Sequence, residues 1–295
     1  MLRIGFWDAY LDNWHANYYP EFLRQAIAEY GFDAAVTDAY AMYDLPGGVT
    51  TADWCAERGI QQHTTPKAFL DAVDAIMVIG ADDARLHNEI APEPLKSGKP
   101  TFVDKTFAPD YASGTALFAL AREHRTPVFT TSAQRYCQSI LDYRQTHPQP
   151  PRFVSTVGPH SLDNYAVHQF EPMVALMGCG AQRVKAFSAG DAVTQLMIDW
   201  GGGRMASFLQ TPNPWAEFNF MVSDGTNGAR LASEDFYINT MREILTFFET
   251  GISPVPQKET MEILALIDAA RIARKTPDVW ISMEEVRGRN ENGTA

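Results

Sequence analysis

"DAIMVIGADDARLHNEIAPEPLKSGKPTFVDKTFA", residues 74–108, is the stretch from which the fold can be read. Residues Ala75–Ile79 are a continuous apolar run, as expected of a strand buried on both faces of a parallel sheet. The spacing predicts a helix over His87–Ser97, closed by Gly98. Thr101–Val103 is a second apolar strand, and Asp104-Lys105-Thr106 falls at its carboxyl end. Ligands of open α/β sheets bind outside the carboxyl ends of the strands. Lys105 is therefore placed to face such a crevice; an ordinary surface lysine fits the same spacing.

Working outward, the alternation continues through the first half. Further strands are expected at Arg3–Trp7, Ala34–Asp38 and Val128–Thr131, and helices at Pro20–Tyr30, Lys67–Val73 and Tyr111–His124. The pattern changes after "QTHPQPPR" (145–152), which reads as a linker or domain edge. Beyond it lie a strand at Phe153–Val157, a helix at Val167–Met177 and two hairpins (192–211 and 217–231). Helices at Ile238–Gly251 and Thr260–Lys275 and a strand at Val279–Met283 close the chain. The expected architecture is α/β. A Rossmann-like, doubly wound parallel sheet fills 1–133, and an α+β domain with a largely antiparallel sheet fills 134–285. Residues 286–295 read as a disordered polar tail.

The chain has 295 residues and a net charge of −12, which argues against nucleic acid or an anionic membrane as partner. Cys55, Cys137 and Cys179 are widely separated, so neither a disulfide framework nor a zinc module is indicated. No His, Asp and Glu spacing suggests a metal site, and no G-x-S-x-G elbow is present. The start lacks a signal-peptide pattern and no apolar run approaches membrane-spanning length, so a cytoplasmic protein is expected. Asn292-Gly-Thr matches a glycosylation acceptor by chance.

"SGKPTFVDKTFA" and "ADDARLHNEIA" resemble the Gfo/Idh/MocA oxidoreductase family, which carries Glu-Lys-Pro at the corresponding strand end and a loop ending in His before a helix. Asp104 stands for the Glu, Lys105 is retained and Thr106 replaces the Pro. Arg135 in "TTSAQRY" matches an Arg-aromatic pair of the family. "LDNYAVHQFEPMVALMG" (162–178) is similar to its "DxGxH…D…G" helix: His168 falls on the histidine and Glu171 on a following Asp. Asn164 lies where an Asp is usual, with Asp163 one residue away. The ending "SPVPQKETMEILALIDAARIARKTPDVWISM" also follows the family, so the resemblance covers nearly the whole chain. It implies oxidation of a sugar or polyol hydroxyl by a nicotinamide, in a homo-oligomer of two or four chains. It gives His168 the part of base and Lys105 that of cation at the developing oxyanion. Asp163, Asn164, Arg135 and Glu171 would hold the substrate. By spacing alone, His168 also reads as a histidine satisfied within a helix of mixed polarity.

One motif is missing. Where G-x-G-x-x-G would bring a pyrophosphate to a helix start, the chain has Asp8, Tyr10 and Asn13. A charged Asp8 about 4 Å from a phosphate would cost roughly 4 kcal/mol at an effective dielectric near 20. Asp38, read as the end of the second strand, would accept from a ribose 2′-OH and favour NAD over NADP; a turn residue is the other reading. The cofactor set, for NAD or NADP, is then Asp8, Tyr10, Asn13, Asp38, His87, Asp104 and Lys105. His15 and His87 would line the same crevice, or else cap a helix or face solvent. Among the aromatics of the first turn, Trp7 reads as core, whereas Tyr10, Trp14, Tyr18 and Tyr19 would fill or roof the cofactor space. Gly201–Gly203, Trp200, Phe208 and Trp215 belong to an interface or simply to a hairpin. Two other functions stay open: a cofactor-independent lyase, hydrolase or isomerase using Lys105 and His168, and a catalytically silent sugar-binding or partner subunit.

Overall fold

The computed structural model describes residues 1–80, 83–188 and 193–291. The chain divides into two units, and the division is not a single cut. The first unit comprises Met1–Pro109, Thr115–Thr131 and Tyr237–Val255; the second comprises Asp110–Gly114, Ser132–Phe236 and the residues from Pro256 onward. Among the described residues, no helix is long and apolar enough to cross a membrane.

In the first unit, β1 (Leu2–Asp8), β2 (Ala34–Ala41), β3 (Gln61–Gln62), β4 (Ala75–Val78), β5 (Thr101–Val103) and β6 (Val128–Phe129) form a parallel sheet of order β3-β2-β1-β4-β5-β6. The order reverses between β1 and β4, the switch point at which such sheets bind ligands. Helices α1 (Trp14–Tyr30), α2 (Thr51–Arg58), α3 (Pro66–Ala72), α4 (His87–Ile90), α5 (Pro92–Leu95) and α6 (Tyr111–Glu123) make the connections. The apolar strand interiors Ile4, Phe6, Ile76, Met77 and Phe102 are at most 1 % exposed, as a sheet covered on both faces requires.

In the second unit, α7 (Gln138–Thr146) leads to β7 (Phe153–Gly158), α8 (Leu162–Tyr165) and α9 (Val167–Met177). The remaining strands are β8 (Arg183–Phe187), β9 (Thr194–Gly201), β10 (Arg204–Gln210), β11 (Asn219–Ser223) and β12 (Gly228–Ala232). Then α10 (Phe236–Thr250) returns to the first unit, and α11 (Gln257–Lys275), β13 (Trp280–Ser282) and α12 (Met283–Glu291) complete the second. The sheet order is β12-β11-β7-β10-β9-β8-β13, antiparallel apart from the β7–β10 pair. Gly201–Gly203 are the β9–β10 turn, all at positive φ (72°, 59° and 78°). Trp200 and Phe208 lie in the core of this unit, whereas Trp215 is 88 % exposed.

The structure departs from the sequence expectations in several places, among them the assignment of Tyr237–Val255, expected in the second domain, to the first unit. Helix α1 starts six residues before Pro20, because the Asn13 side chain accepts from the Ala16 amide and caps it there. The helix expected over His87–Ser97 is two short helices, interrupted where Pro92 and Pro94 lack amide donors. Strand β2 runs on to Ala41, so Asp38 is not at its end. "QTHPQPPR" starts in α7 and then joins it to β7 inside the second unit. The tail expected from 286 is helical to Glu291, with Met283 and Val286 buried; Asn292-Gly-Thr lies outside the described residues.

Helix α10 enters the first unit through its apolar face. The ring of Phe247 is fully buried and meets Phe129 of β6 edge-on at 5.5 Å. Phe247→Ala is expected to lower the unfolding free energy by about 3–5 kcal/mol, measured by urea denaturation; an unchanged midpoint would remove α10 from this core.

Candidate functional site

The β1–α1 loop is built around the side chain of Asp8, which is fully buried. One carboxylate oxygen accepts from the Ala9 amide (2.6 Å) and the Gly80 amide (3.1 Å), the other from Asn13 Nδ2 (2.8 Å). Burial pushes its pKa up to about 7 against the pull of these donors. The charge feared at the phosphate position is thus turned inward and titrates near neutrality. Asn13 is the helix cap, with Nδ2 also on the Tyr10 carbonyl (2.8 Å). The Trp14 and His15 amides, in the first turn of α1, have no hydrogen-bond partner among the described residues. This helix start keeps two donors and the positive end of its dipole for an anion. A dinucleotide pyrophosphate fits that chemistry, and the Tyr10 ring packs beside that of Tyr43 at 5.8 Å.

At the carboxyl end of β5, Asp104 is 1 % exposed and Lys105 5 %. Asp104 is gripped from α1 by two side chains. His15 Nδ1 bonds Oδ2, and Tyr19 Oη donates to Oδ1 at 3.1 Å. The His15 and Tyr19 rings stack at 4.9 Å with planes 9° apart. The Lys105–Thr106 peptide is cis. His87 is fully buried and brings Nδ1 to the Thr106 carbonyl (2.8 Å) and Nε2 to the Ile79 carbonyl (3.2 Å). Burial lowers its pKa. It bolts the β4 loop to the segment after β5 and is closed to a cofactor, contrary to the crevice-lining expectation. Gly80, at φ +75°, makes room for it: a Cβ there would lie 2.1 Å from His87 Nε2.

Asp38 also differs from expectation. It pairs with Gly5, three residues short of the end of β2, and its carboxylate takes His63 Nε2 (2.6 Å) and the Thr37 hydroxyl (2.6 Å). The β2 end instead presents Met42 and Tyr43, whose amides bond the Asp8 and Ala9 carbonyls. The acid assigned to the ribose is therefore absent from that place. Of the aromatics, Trp7 is core and donates to the Ile90 carbonyl (2.7 Å). Trp14 and Tyr18 are exposed and form a ladder with Phe22 and Tyr237 on the outside of α1.

In the second unit, His168 lies near the start of α9, its Nδ1 2.7 Å from Ser132 Oγ and its ring edge-on to Tyr165 and Phe218. Arg135 and Glu171 are 2 % and 3 % exposed and paired with each other (2.5 Å), with Glu259 2.8 Å from the same guanidinium. Arg135, in the segment before α7, is thus linked to Glu171 of α9, which is buried, and to Glu259 of α11, which is partly exposed. Asp163 and Asn164 are exposed on α8, and Asp163 pairs with Arg271 (2.8 Å). His15, Tyr19 and Ser132 are the participants to which the sequence assigned no definite part. The sequence offered His15 as a crevice-lining or capping residue and Tyr19 as one of the aromatics of the first turn, with Asp104 as partner of neither.

No protein-family model matches the sequence, and no curated protein does. The fold, in contrast, is shared with solved dehydrogenases. An oxidoreductase from Agrobacterium radiobacter, in complex with NAD+, L-tartaric acid and magnesium, superposes with a TM-score of 0.79 at 9 % identity over 96 % of this chain and 99 % of its own. Scyllo-inositol dehydrogenase from Lactobacillus casei gives 0.77 at 11 % identity over 96 % and 98 %. The WlbA dehydrogenase from Bordetella pertussis, in complex with NADH and UDP-GlcNAcA, gives 0.73 at 15 % identity over 95 % and 98 %. The fold is thus the one implied by the resemblance to the Gfo/Idh/MocA oxidoreductases.

Two stability measurements test these assignments. Asp8 has a folded pKa above its unfolded value, so the folded state binds the extra proton between about pH 4 and 7. Wild-type stability should fall by up to about 4 kcal/mol relative to Asp8→Asn as pH rises through that window, then level off; a pH-independent difference in urea unfolding would restore an ordinary carboxylate. Arg135→Met, which removes the guanidinium from the buried Glu171 carboxylate, should cost about 3–5 kcal/mol; a variant of unchanged stability would return Arg135 to a binding role.

Proposed function

We propose that the protein is an NAD(P)-dependent oxidoreductase acting on a hydroxyl of a sugar, polyol or related small molecule. The observation that carries the reading is the place of Lys105, directly after β5 on the carboxyl edge of a parallel sheet shared with NAD-complexed dehydrogenases. The N-terminal turn of α1 would take the pyrophosphate on the Trp14 and His15 amides, and the bound nicotinamide would supply the hydride acceptor. Lys105 places an ammonium where a developing alkoxide needs one. His168, by resemblance, faces the hydroxyl. With Asp38 engaged by His63, no acid at the end of β2 selects NAD over NADP among the described residues. Arg135, Glu171 and His87 serve the scaffold in this reading, and a homo-oligomer in the cytoplasm is expected from the resemblance.

The test is calorimetric titration of nucleotide-free protein with NAD+, NADH, NADP+ and NADPH, followed by absorbance assays with scyllo-inositol, myo-inositol and UDP-N-acetylglucosamine. Micromolar binding of one pair and reduction of the cofactor by one compound are expected. Lys105→Ala should then lower kcat by about 10²- to 10³-fold, as for removal of an oxyanion donor. Absence of binding below millimolar would overturn the reading in favour of redox-neutral chemistry.

A further inference from the structure

We propose that His15 is a catalytic residue of the first unit: the acceptor of the proton that leaves the substrate hydroxyl, oriented by Asp104. This role rests on the reading of the chain as a dehydrogenase. It follows from how completely the imidazole is constrained. A histidine in the first turn of a helix ordinarily caps it or faces solvent. The His15 ring instead bonds a carboxylate 89 residues away in sequence. That carboxylate is 1 % exposed, and Tyr19 fixes its second oxygen. The Tyr19 ring lies flat against the imidazole and Trp14 meets its edge. The position and rotation of the ring are therefore both set.

The constraint decides the tautomer. With Nδ1–H on Asp104, a neutral imidazole carries its lone pair on Nε2. Nε2 has no hydrogen-bond partner among the described residues, and the side chain is 12 % exposed. A buried acid that holds one nitrogen and leaves the other bare is the arrangement by which a carboxylate orients a catalytic histidine and stabilises its cation. Of the other titratable groups, Asp8 and His87 feel the Asp104 charge, and Lys105 is next to Asp104 in the chain. His168 differs in kind: its Nδ1 lies 2.7 Å from a neutral hydroxyl, that of Ser132, and not from a carboxylate. In the step itself the hydroxyl O–H bond breaks and its proton moves to His15 Nε2. The carbinol hydrogen leaves with its electron pair for the oxidised nicotinamide, and the C–O bond becomes C=O. The alcohol is oxidised and the nicotinamide reduced.

The first measurement is made on the protein without cofactor. Nitrogen NMR of histidine-labelled protein should show neutral His15 with Nδ1 protonated and Nε2 bare, a preference lost in Asp104→Asn. A bare Nδ1 overturns the proposal whether or not a substrate has been found. In the absorbance assay with scyllo-inositol or UDP-N-acetylglucosamine, His15→Ala should lower kcat by about 10²- to 10⁴-fold. KM and NAD+ affinity by calorimetry should change little, and free imidazole should restore part of the rate. His15→Gln keeps an amide donor for Asp104 and should remain folded yet slow. Wild-type kcat in His15→Gln, or imidazole rescue of His168→Ala and not of His15→Ala, would overturn it. A wild-type protein that reduces no nicotinamide would instead defeat the dehydrogenase reading, leaving the NMR result to judge the dyad.

Discussion

The first unit depends on one buried carboxylate. Asp8 ends β1 and binds its own turn through Ala9, the exit of β4 through Gly80, and the loop before α1 through Asn13. Burying an acid is unfavourable, and its raised pKa measures how incompletely three donors offset the loss of water. What the bonds fix is direction. Asn13, held by Asp8, caps α1; α1 then presents His15 and Tyr19 to Asp104, beside Lys105. A glycine loop lets a pyrophosphate approach its helix start closely. Here the same turn is organised from within.

That substitution changes what the missing glycines mean. Read from the sequence, an aspartate at the phosphate position is a repulsive charge. In the structure its carboxylate is buried and held by three donors, so Asp8 does not present an open charge on the loop. A related inversion occurs at the end of β2, where three further residues of strand carry Asp38 out of the ribose position and clip Met42 and Tyr43 to the β1 loop.

The alternation of apolar runs and helical spacing made both sheets legible, because a doubly covered strand has little freedom of composition. Strand Thr101–Val103 has the limits expected for that reason, and helix Val167–Met177 has those expected from its helical spacing and from Gly178 after it. Boundaries failed where a local bond outweighed a general preference, as when the Asn13 cap started α1 ahead of Pro20. Short elements such as α2 and β3 carry too little periodicity to announce themselves. For the candidate site, Lys105 could be placed by its strand. The partner of His15 could not, since a bond to Asp104 across 89 residues leaves no trace in local spacing. The same holds for Arg135 and Glu171, whose types suggest ligand binding and whose burial makes them a brace.

The return of α10 to the first unit has a consequence for synthesis. Phe247, with Met241, Ile244, Leu245 and Phe248 of the same helix, joins a core whose other strands and helices lie before Thr131, and the helix belongs to Tyr237–Val255. On a ribosome adding about 5–20 residues per second, the parallel sheet waits roughly 6–25 seconds for its last helix. During that interval β6 offers an uncovered aromatic face while the second unit is still emerging. The nascent chain is thus most prone to mispairing in the middle of its synthesis, and not at either end.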